Sequence, residues 1–253
     1  MIRRTVLWLV FGALIAFAAM PSPLCAQTET PPAAVAKPSA AYTQDLAFAR
    51  FIALIRGHLL TGDELVGQRQ WDAALPHFNF PTEEIYGVIR DEVKTYKTPP
   101  FDGALKALSR TVRAQGAKQY PKARQQVEDA LAAADAGLKA RQPNWPKFTV
   151  DVAMAVLKAA PDEYDDAVAK GRIVHPIGYQ TARGFILQAE RMVEGVAGEL
   201  AGNNAAVLSD IRAGFADLKQ AFAAVNPPKQ AVIDYQAVLG IVSKIELAAG
   251  KLS

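Results

Sequence analysis

The chain has 253 residues, and its 28 basic and 25 acidic side chains give a formal net charge of +3. Hydrophobic residues make up 51% of the sequence, and there is a single cysteine. The small net charge does not indicate a nucleic-acid partner. A lone cysteine excludes both a disulfide within the chain and a cysteine-rich metal site.

The first 26 residues predict a secretory signal peptide. Two arginines precede an apolar run of 16 residues, Thr5 to Met20, and a helix-breaking stretch then ends in small residues. Because a membrane-spanning helix needs roughly 20 apolar residues, we expect cleavage after Ala26 and no stable membrane insertion afterwards. The mature protein would then be periplasmic.

Cleavage would change the composition of the chain. It removes Arg3, Arg4 and Cys25, so 26 basic residues face 25 acidic ones and the net charge falls to +1. Cys25 also suggests a lipoprotein, but Leu24 before it is bulkier than the small residue that lipidation sites favour. We therefore expect an unlipidated mature chain of 227 residues, which is long enough to bury its own core.

The rest of the chain predicts an all-α fold, a multi-helix bundle. Residues 27–41 form a Pro/Ala-rich stretch that we expect to be a disordered tether. From 42 to 253, apolar residues recur at spacings of three and four, and two prolines within 141–148 mark a candidate sub-boundary. The expected helices cover about 42–67, 70–78, 81–96, 100–116, 119–141, 147–159, 161–171, 175–202, 204–225 and 229–250.

Two segments suggest that the domain consists of two related helical halves. The segments that begin at Asp63 and Asp162 share an initial Asp-Glu, a central histidine and a closing Gly-x-Ile. A second register, which aligns Trp71 with Tyr164, is almost as good. Duplication and a chance similarity of helical composition therefore both remain open.

No catalytic motif is visible in the sequence. It has no G-x-S-x-G elbow, phosphate-binding loop, H-E-x-x-H pair or Asp-rich calcium loop. We therefore expect no enzymatic activity. Three histidines, His58, His77 and His175, remain as candidates for chemistry.

His58 lies on an apolar helix face. It is either a core histidine or a ligand whose partners come from another helix, because Glu64, six residues on, lies some 120° around the same helix. His77 precedes the stretch Asn79 to Pro81, which predicts a turn. Glu84 follows in the first turn of the next helix, where a carboxylate is favoured by the helix dipole whatever its function.

His175 precedes Pro176 and is expected at a helix start, where its ring could cap the helix or bind a ligand. Tyr179, Arg183 and Glu190 follow along one side of that helix. Their arrangement predicts a polar edge with a contact between Arg183 and Glu190.

A resemblance to a known family appears in the segment "EYDDAVAKGRIVHPIGYQTARGF", Glu163 to Phe185. Its acid-Tyr pair and Ala-Val-x-x-Gly run resemble the helical periplasmic segment of bacterial iron permeases of the ferric-permease family. Imelysin-like iron-associated proteins have a similar helical periplasmic module. The resemblance covers 23 residues, and Gly178 stands where the family pattern has a glutamate. It implies a role in iron uptake.

These observations predict a periplasmic helical protein that binds iron or another divalent transition metal in iron uptake or handling. The expected ligands are His58, His77, Glu84 and His175, because such ions accept imidazole together with carboxylate. Since imidazole must be neutral to bind, we expect the metal affinity to fall below about pH 6.5. The expected partner is an inner-membrane metal transporter or another envelope protein. The alternative is a metal-free helical scaffold that docks another envelope protein.

Overall fold

The structure, a computed structural model, describes residues 43–252. The predicted signal peptide (1–26) and nearly all of the chain before the helical domain lie outside this range. Within it the regular secondary structure is helical apart from one short hairpin, which confirms the predicted fold class. The elements are α1 (Gln44–Gly67), α2 (Trp71–Phe80), a π-helical turn (Pro81–Ile85), α3 (Tyr86–Ile89), α4 (Asp102–Arg113), α5 (Tyr120–Lys139), α6 (Trp145–Leu157), α7 (Ala160–Ala167), β1 (Val168–Ala169), β2 (Arg172–Ile173), α8 (Pro176–Ala221) and α9 (Tyr235–Ala249).

Helix α1 lies in the centre of the fold. Its first turn is capped by Thr43, whose hydroxyl accepts a hydrogen bond from the amide of Leu46 at 3.3 Å. Buried residues occur on all sides of this helix because α2, α5, α6 and α8 pack around it. An apolar surface all round is typical of a buried helix.

Helix α8 is a single element of 46 residues, so the expected break between 202 and 204 is wrong. A glycine within a helix costs about 1 kcal/mol relative to alanine. Here the apolar face stays in register on both sides of Gly202, with Leu200 before it and Leu208 and Ile211 after it, all buried. The side-chain amide of Asn204 also donates a hydrogen bond to the backbone carbonyl of Leu200 at 3.0 Å. Packing therefore decides the conformation against local propensity.

The hairpin β1–β2 corrects the expectation that helix continues to residue 171. Val168 pairs with Ile173 and Ala169 with Arg172. The two turn residues between them, Lys170 and Gly171, have φ values of 52° and 72°, which is the conformation of a tight type I′ turn. The neighbouring segment pairs with this hairpin through the amide of Ala231, which bonds the Gly171 carbonyl at 3.0 Å. For that reason α9 begins at Tyr235, after the predicted start at 229.

The predicted core is confirmed. The apolar spacing predicts burial of eight residues, and each is at most 2% exposed: Phe51, Ile55, Leu59, Ile85, Ile89, Phe185, Ile186 and Val193. The candidate sub-boundary at 141–148 coincides with the break between α5 and α6. Helix α1 contacts elements on both sides of this break, and the division into two halves stays a prediction. Within residues 43–252, no helix combines the length and apolarity that crossing a membrane requires.

Candidate functional site

His58 of α1 and His77 of α2 face each other in the core. Their Nδ1 atoms are 3.5 Å apart, and the residues are 3% and 0% exposed. The sequence required that any partner of His58 come from another helix, and α2 provides it. Two of the four predicted ligands are therefore brought together.

Glycines on α1 allow the neighbouring helices to come this close. A Cβ atom on Gly62 would lie 2.5 Å from the ring of Phe78, so a larger residue would require this buried ring to move. On the other side, a Cβ on Gly184 of α8 would lie 2.3 Å from the carbonyl oxygen of Gly57. The hydroxyl of Thr61 links α1 to α8 by donating a hydrogen bond to the carbonyl of Gln180 at 3.0 Å. The helices α1, α2 and α8 thus meet around His58.

The rest of the histidine environment is one amide and two aromatic rings. Nε2 of His77 lies 3.1 Å from Oε1 of Gln180. Phe80 stacks on the His58 ring at a centroid distance of 5.5 Å, and Phe185 meets its edge at 5.3 Å. The histidines therefore lie in an apolar enclosure with a single buried amide beside them.

Burial keeps both imidazoles neutral. It lowers the pKa of His77 to about 4, against an opposing contribution from the hydrogen bond to Gln180. Burial, and then the proximity of His77, lowers the pKa of His58 well below its usual value. Because Oε1 of Gln180 can only accept, Nε2 of His77 carries the proton and its Nδ1 has a free lone pair. In that arrangement Nδ1 of His58 can donate only a long, weak hydrogen bond to this lone pair, at 3.5 Å.

The pair has the separation that two metal ligands need. Nitrogen ligands about 2.0–2.1 Å from a tetrahedral ion lie about 3.3–3.4 Å apart. The observed 3.5 Å is close to this value, and it is longer than the usual 2.7–3.2 Å of an N–H hydrogen bond. Moving the His58 proton from Nδ1 to Nε2 would leave a lone pair on each Nδ1, and the rings, whose centroids are 5.7 Å apart, would have to tilt for both lone pairs to reach one ion.

Glu84 and His175 do not join the pair. Glu84 is half-buried, and His175 is exposed at the N-cap of α8, where its side chain makes no capping hydrogen bond. In the described part of the chain, no group of three or more His, Cys, Asp or Glu side chains is arranged to hold an ion. The structure thus supplies two of the four predicted ligands at one place.

Glu84 lies away from the histidine pair because the turn predicted at Asn79 to Pro81 does not form. No turn separates α2 from the next helical segment, because Phe80 and Pro81 both have helical φ and ψ values and a π-helical turn follows at once. The wider π-turn accommodates the ring of Pro81 and its missing N–H. Glu84 therefore lies seven residues further along one helical run, about 10 Å of helix rise from His77.

Two polar contacts on α8 also differ from expectation. Arg183 bonds Glu64 of α1 at 2.5 Å and the Phe222 carbonyl at 2.9 Å, and Glu190 binds Lys219 at 2.5 Å. The expected contact between Arg183 and Glu190 is therefore wrong. Sequence reasoning also missed Gln180 as a partner of His77. Gln180 precedes Gly184 by one helical turn, and this spacing becomes informative only once the structure shows that Gly184 crosses α1.

Comparison with known proteins assigns the C-terminal part of the chain. Residues 139–253 match the iron permease-associated 4-helix bundle domain. The resemblance to the ferric-permease family is confirmed. The match covers less than half of the chain, and its described residues contain the four helices α6 to α9. No curated protein and no solved structure matches at a significant level.

The histidine pair lies where the matched domain meets the N-terminal helices. His58 and His77 belong to α1 and α2, outside the match, whereas Gln180 and Phe185 belong to α8, inside it. The close approach of α7 and α8 explains the glycine at position 178. A Cβ there would lie 2.7 Å from the carbonyl oxygen of Glu163, so a glutamate at this position would require α7 and α8 to move apart.

Proposed function

We propose that this protein is a periplasmic component of iron uptake that binds a transition metal ion between His58 and His77. The family match supports the iron-uptake context. The observation that carries metal binding is the separation of 3.5 Å between two buried, neutral imidazole nitrogens. Imidazole suits iron, copper and zinc among the available ions.

A two-histidine site is suited to transient binding. Closed structural zinc sites use four protein ligands, and sites with fewer leave positions open to water or to a transferred group. We propose that the ion is passed on to an inner-membrane metal transporter. Glu84 and His175 remain proposed ligands of that exchange, and both are more accessible than the pair.

Local opening of α2 would admit the ion. Pro76 lies inside this helix and cannot donate to the carbonyl of Asp72 one turn earlier. The π-turn that follows adds a second irregularity, of a kind that often accompanies functional sites. Opening at α2 would expose His77 while α1 stays packed.

The pH range of binding is wider than the sequence predicts. Since burial lowers the pKa of His77 to about 4, its imidazole stays neutral well below pH 6.5. Metal affinity should therefore persist to about pH 5, and then fall as the pair takes up protons.

Calorimetric titration of Fe²⁺, Cu²⁺ and Zn²⁺ into the mature protein, purified without a histidine tag, tests the proposal. We expect one ion per chain, and at least tenfold weaker binding in His77→Leu, because losing one of two ligands removes much of the affinity. His175→Ala removes the exposed histidine that is proposed only for the exchange of the ion, and it should leave the stoichiometry of the buried pair unchanged. Circular dichroism of each variant shows whether it is folded.

Equal binding by the wild type and a folded His77→Leu variant would contradict the proposal. Loss of binding in His175→Ala alone would move the site to the exposed N-cap of α8. Either result leaves the family match intact.

A metal-free scaffold that docks another envelope protein is the second candidate. It is favoured by the protein partner that His77 already has, because Nε2 of His77 lies within hydrogen-bond distance of Oε1 of Gln180. Among residues 43–252, no third His, Cys, Asp or Glu completes a ligand set. Elemental analysis of the untagged exported protein separates the two functions, since the scaffold would carry no stoichiometric metal.

The proposed location has its own test. Mass spectrometry of the exported protein should find a mature chain that begins at Gln27 without a lipid. A chain that retains an acylated Cys25 would place the protein on a membrane surface instead.

A further inference from the structure

The end of the molecule where α4 connects to α5 is strongly basic. No acidic residue occurs between Asp102 and Glu128, so the charged side chains of residues 103–127 are all positive. There are six of them: Lys106, Arg110, Arg113, Lys118, Lys122 and Arg124. Because α4 packs against α5 and only residues 114–119 connect them, most of this charge is concentrated at one end of the helix pair.

Four of these charges are not neutralised by the rest of the described chain. Lys106 binds Asp102 at 2.8 Å, and Arg124 binds Asp63 and Glu128, each at 3.1 Å. The remaining side chains are exposed and form no ion pair among residues 43–252. We call these four residues the basic tip: Arg110, Arg113, Lys118 and Lys122.

Helix formation does not account for the two lysines of the basic tip. The N-terminus of a helix carries a partial positive charge and favours acidic side chains. The first turn of α5 has no acid, and it contains Lys122, with Lys118 just before it. Arg110 and Arg113 lie in the last turn of α4, where the helix dipole favours a cation. The lysines are thus unfavourable for the fold by itself, and a negatively charged partner would remove that cost.

The basic tip carries charge without apolar anchors. The large hydrophobic side chains that the described residues expose all lie elsewhere: Val174, Ile177, Val232, Leu239 and Leu247. Beside the tip, Tyr120 and Trp71 are half-buried and pack edge to face against each other. Because the cores of protein–protein interfaces are rich in aromatic residues and poor in lysine, the tip is better suited to a surface of diffuse negative charge than to a protein partner.

We propose that the basic tip binds the anionic surface of a phospholipid bilayer. Clusters of about four or more Lys and Arg residues are attracted to anionic lipids, and each such residue near the surface strengthens binding by roughly fivefold. A groove of about 480 Å³ lies beside Arg110, and the small residues Ala107, Ala114 and Gly116 line it. Their short side chains leave room for a headgroup phosphate next to the guanidinium. The contact is reversible and stays at the level of the headgroups.

Co-sedimentation of the mature protein with vesicles tests the proposal. Vesicles of phosphatidylglycerol and phosphatidylcholine in equal parts should bind the protein at about 0.01 M salt and release it at about 1 M, because the Debye length falls from about 30 Å to about 3 Å. Vesicles of phosphatidylcholine alone should not bind it.

Two double variants show whether the basic tip is responsible. Lys118→Gln combined with Lys122→Gln should weaken binding to the anionic vesicles by about tenfold or more. Lys244→Gln combined with Lys251→Gln is the matched control, because it removes the same charge from two exposed lysines at the α9 end of the chain. This control should bind nearly as well as the wild type.

The proposal would be overturned by equal binding to both kinds of vesicle, by no binding to the anionic vesicles at low salt, or by equal weakening in the two double variants. Binding of a poly-glutamate peptide without binding of anionic vesicles would also overturn it, and would indicate an acidic protein as the partner. His77→Leu should bind the vesicles as the wild type does, since the histidine pair lies between α1 and α2. The vesicle test is therefore independent of the proposed metal site.

Discussion

The histidine pair and Glu163 are both buried titratable groups, but they differ in their polar partners and in the direction in which burial shifts their pKa values. Each histidine has a polar partner, and burial lowers the pKa of His77 to about 4. Glu163 of α7 is 6% exposed, and its Oε1 has no hydrogen-bond partner among residues 43–252. Burial first, and then Asp166 and Asp162, raise its pKa to about 8.

The comparison shows that the two imidazoles and the Glu163 carboxyl are all neutral near pH 7 and yet respond to pH in opposite directions. A group whose pKa is lowered by folding destabilises the protein as the pH falls, and one whose pKa is raised does so as the pH rises. Protonation of His77 should therefore lower the stability of the fold as the pH falls from about 6.5 to 4. Ionisation of Glu163 should lower the stability of the fold as the pH rises from about 4.5 to 8.

The largest effect should come from breaking the packing of the histidine region. Phe185 is fully buried and its ring meets the edge of His58. Phe185→Ala should lower the free energy of unfolding by about 3–5 kcal/mol, because it leaves a cavity in the core. Urea denaturation measures this loss, and Phe148→Ala, at a partly buried position, should lose less. Equal losses would mean that the crossing of α1 and α8 is not tightly packed.

Replacing the buried carboxyl group should have the next largest effect, with the opposite sign. Glu163→Gln has a similar shape and does not ionise. It should stabilise the protein by about 2–4 kcal/mol at pH 8, where the wild type begins to ionise a group that its surroundings keep neutral. Denaturation curves at pH 5 and pH 8 test this. The gain should largely disappear at pH 5, and an equal gain at both values would contradict the raised pKa.

Loss of one histidine should have a smaller effect. In the metal-free protein, His77→Leu keeps the volume and leaves His58 and Gln180 without their partner, at a loss of about 1–3 kcal/mol. The acid sensitivity between pH 6.5 and 4 should weaken in this variant because one of the two buried histidines is gone. Thermal unfolding across that range measures both effects. An unchanged pH profile would show that His77 is not held neutral by burial.

The smallest effect should come from the exposed histidine. His175→Ala should change the free energy of unfolding by less than about 0.5 kcal/mol, since its side chain caps nothing. It should also leave the acid transition in place. A larger loss would indicate a contact at the N-cap of α8.

Much of the fold could be predicted because the helical periodicity is continuous in this chain. The burial of Phe51, Ile55 and Phe185 followed directly from spacings of three and four. The hairpin could not be predicted in that way, since it depends on two residues with positive φ and on pairing with a segment about 60 residues later. The unbroken course of α8 through Gly202 depends on packing that local propensity does not describe.

The candidate site was predictable in part. An apolar helix face around His58 required a partner from elsewhere, and the proximity of His77 satisfies that requirement. The position of Glu84 was predicted wrongly because a π-helical turn replaces the predicted turn. Gln180 could be found only once Gly57 and Gly184 were known to bring α1 and α8 together, which is a tertiary contact between distant parts of the sequence.

Anomalous X-ray diffraction from crystals of the protein grown with Zn²⁺ or Fe²⁺ tests the central claim most directly. The account predicts an anomalous peak between α1 and α2, about 2.0–2.1 Å from Nδ1 of both His58 and His77. Data collected on either side of the metal absorption edge identify the ion. A metal-free pair in the same crystals, or a peak only at the exposed His175, would contradict it.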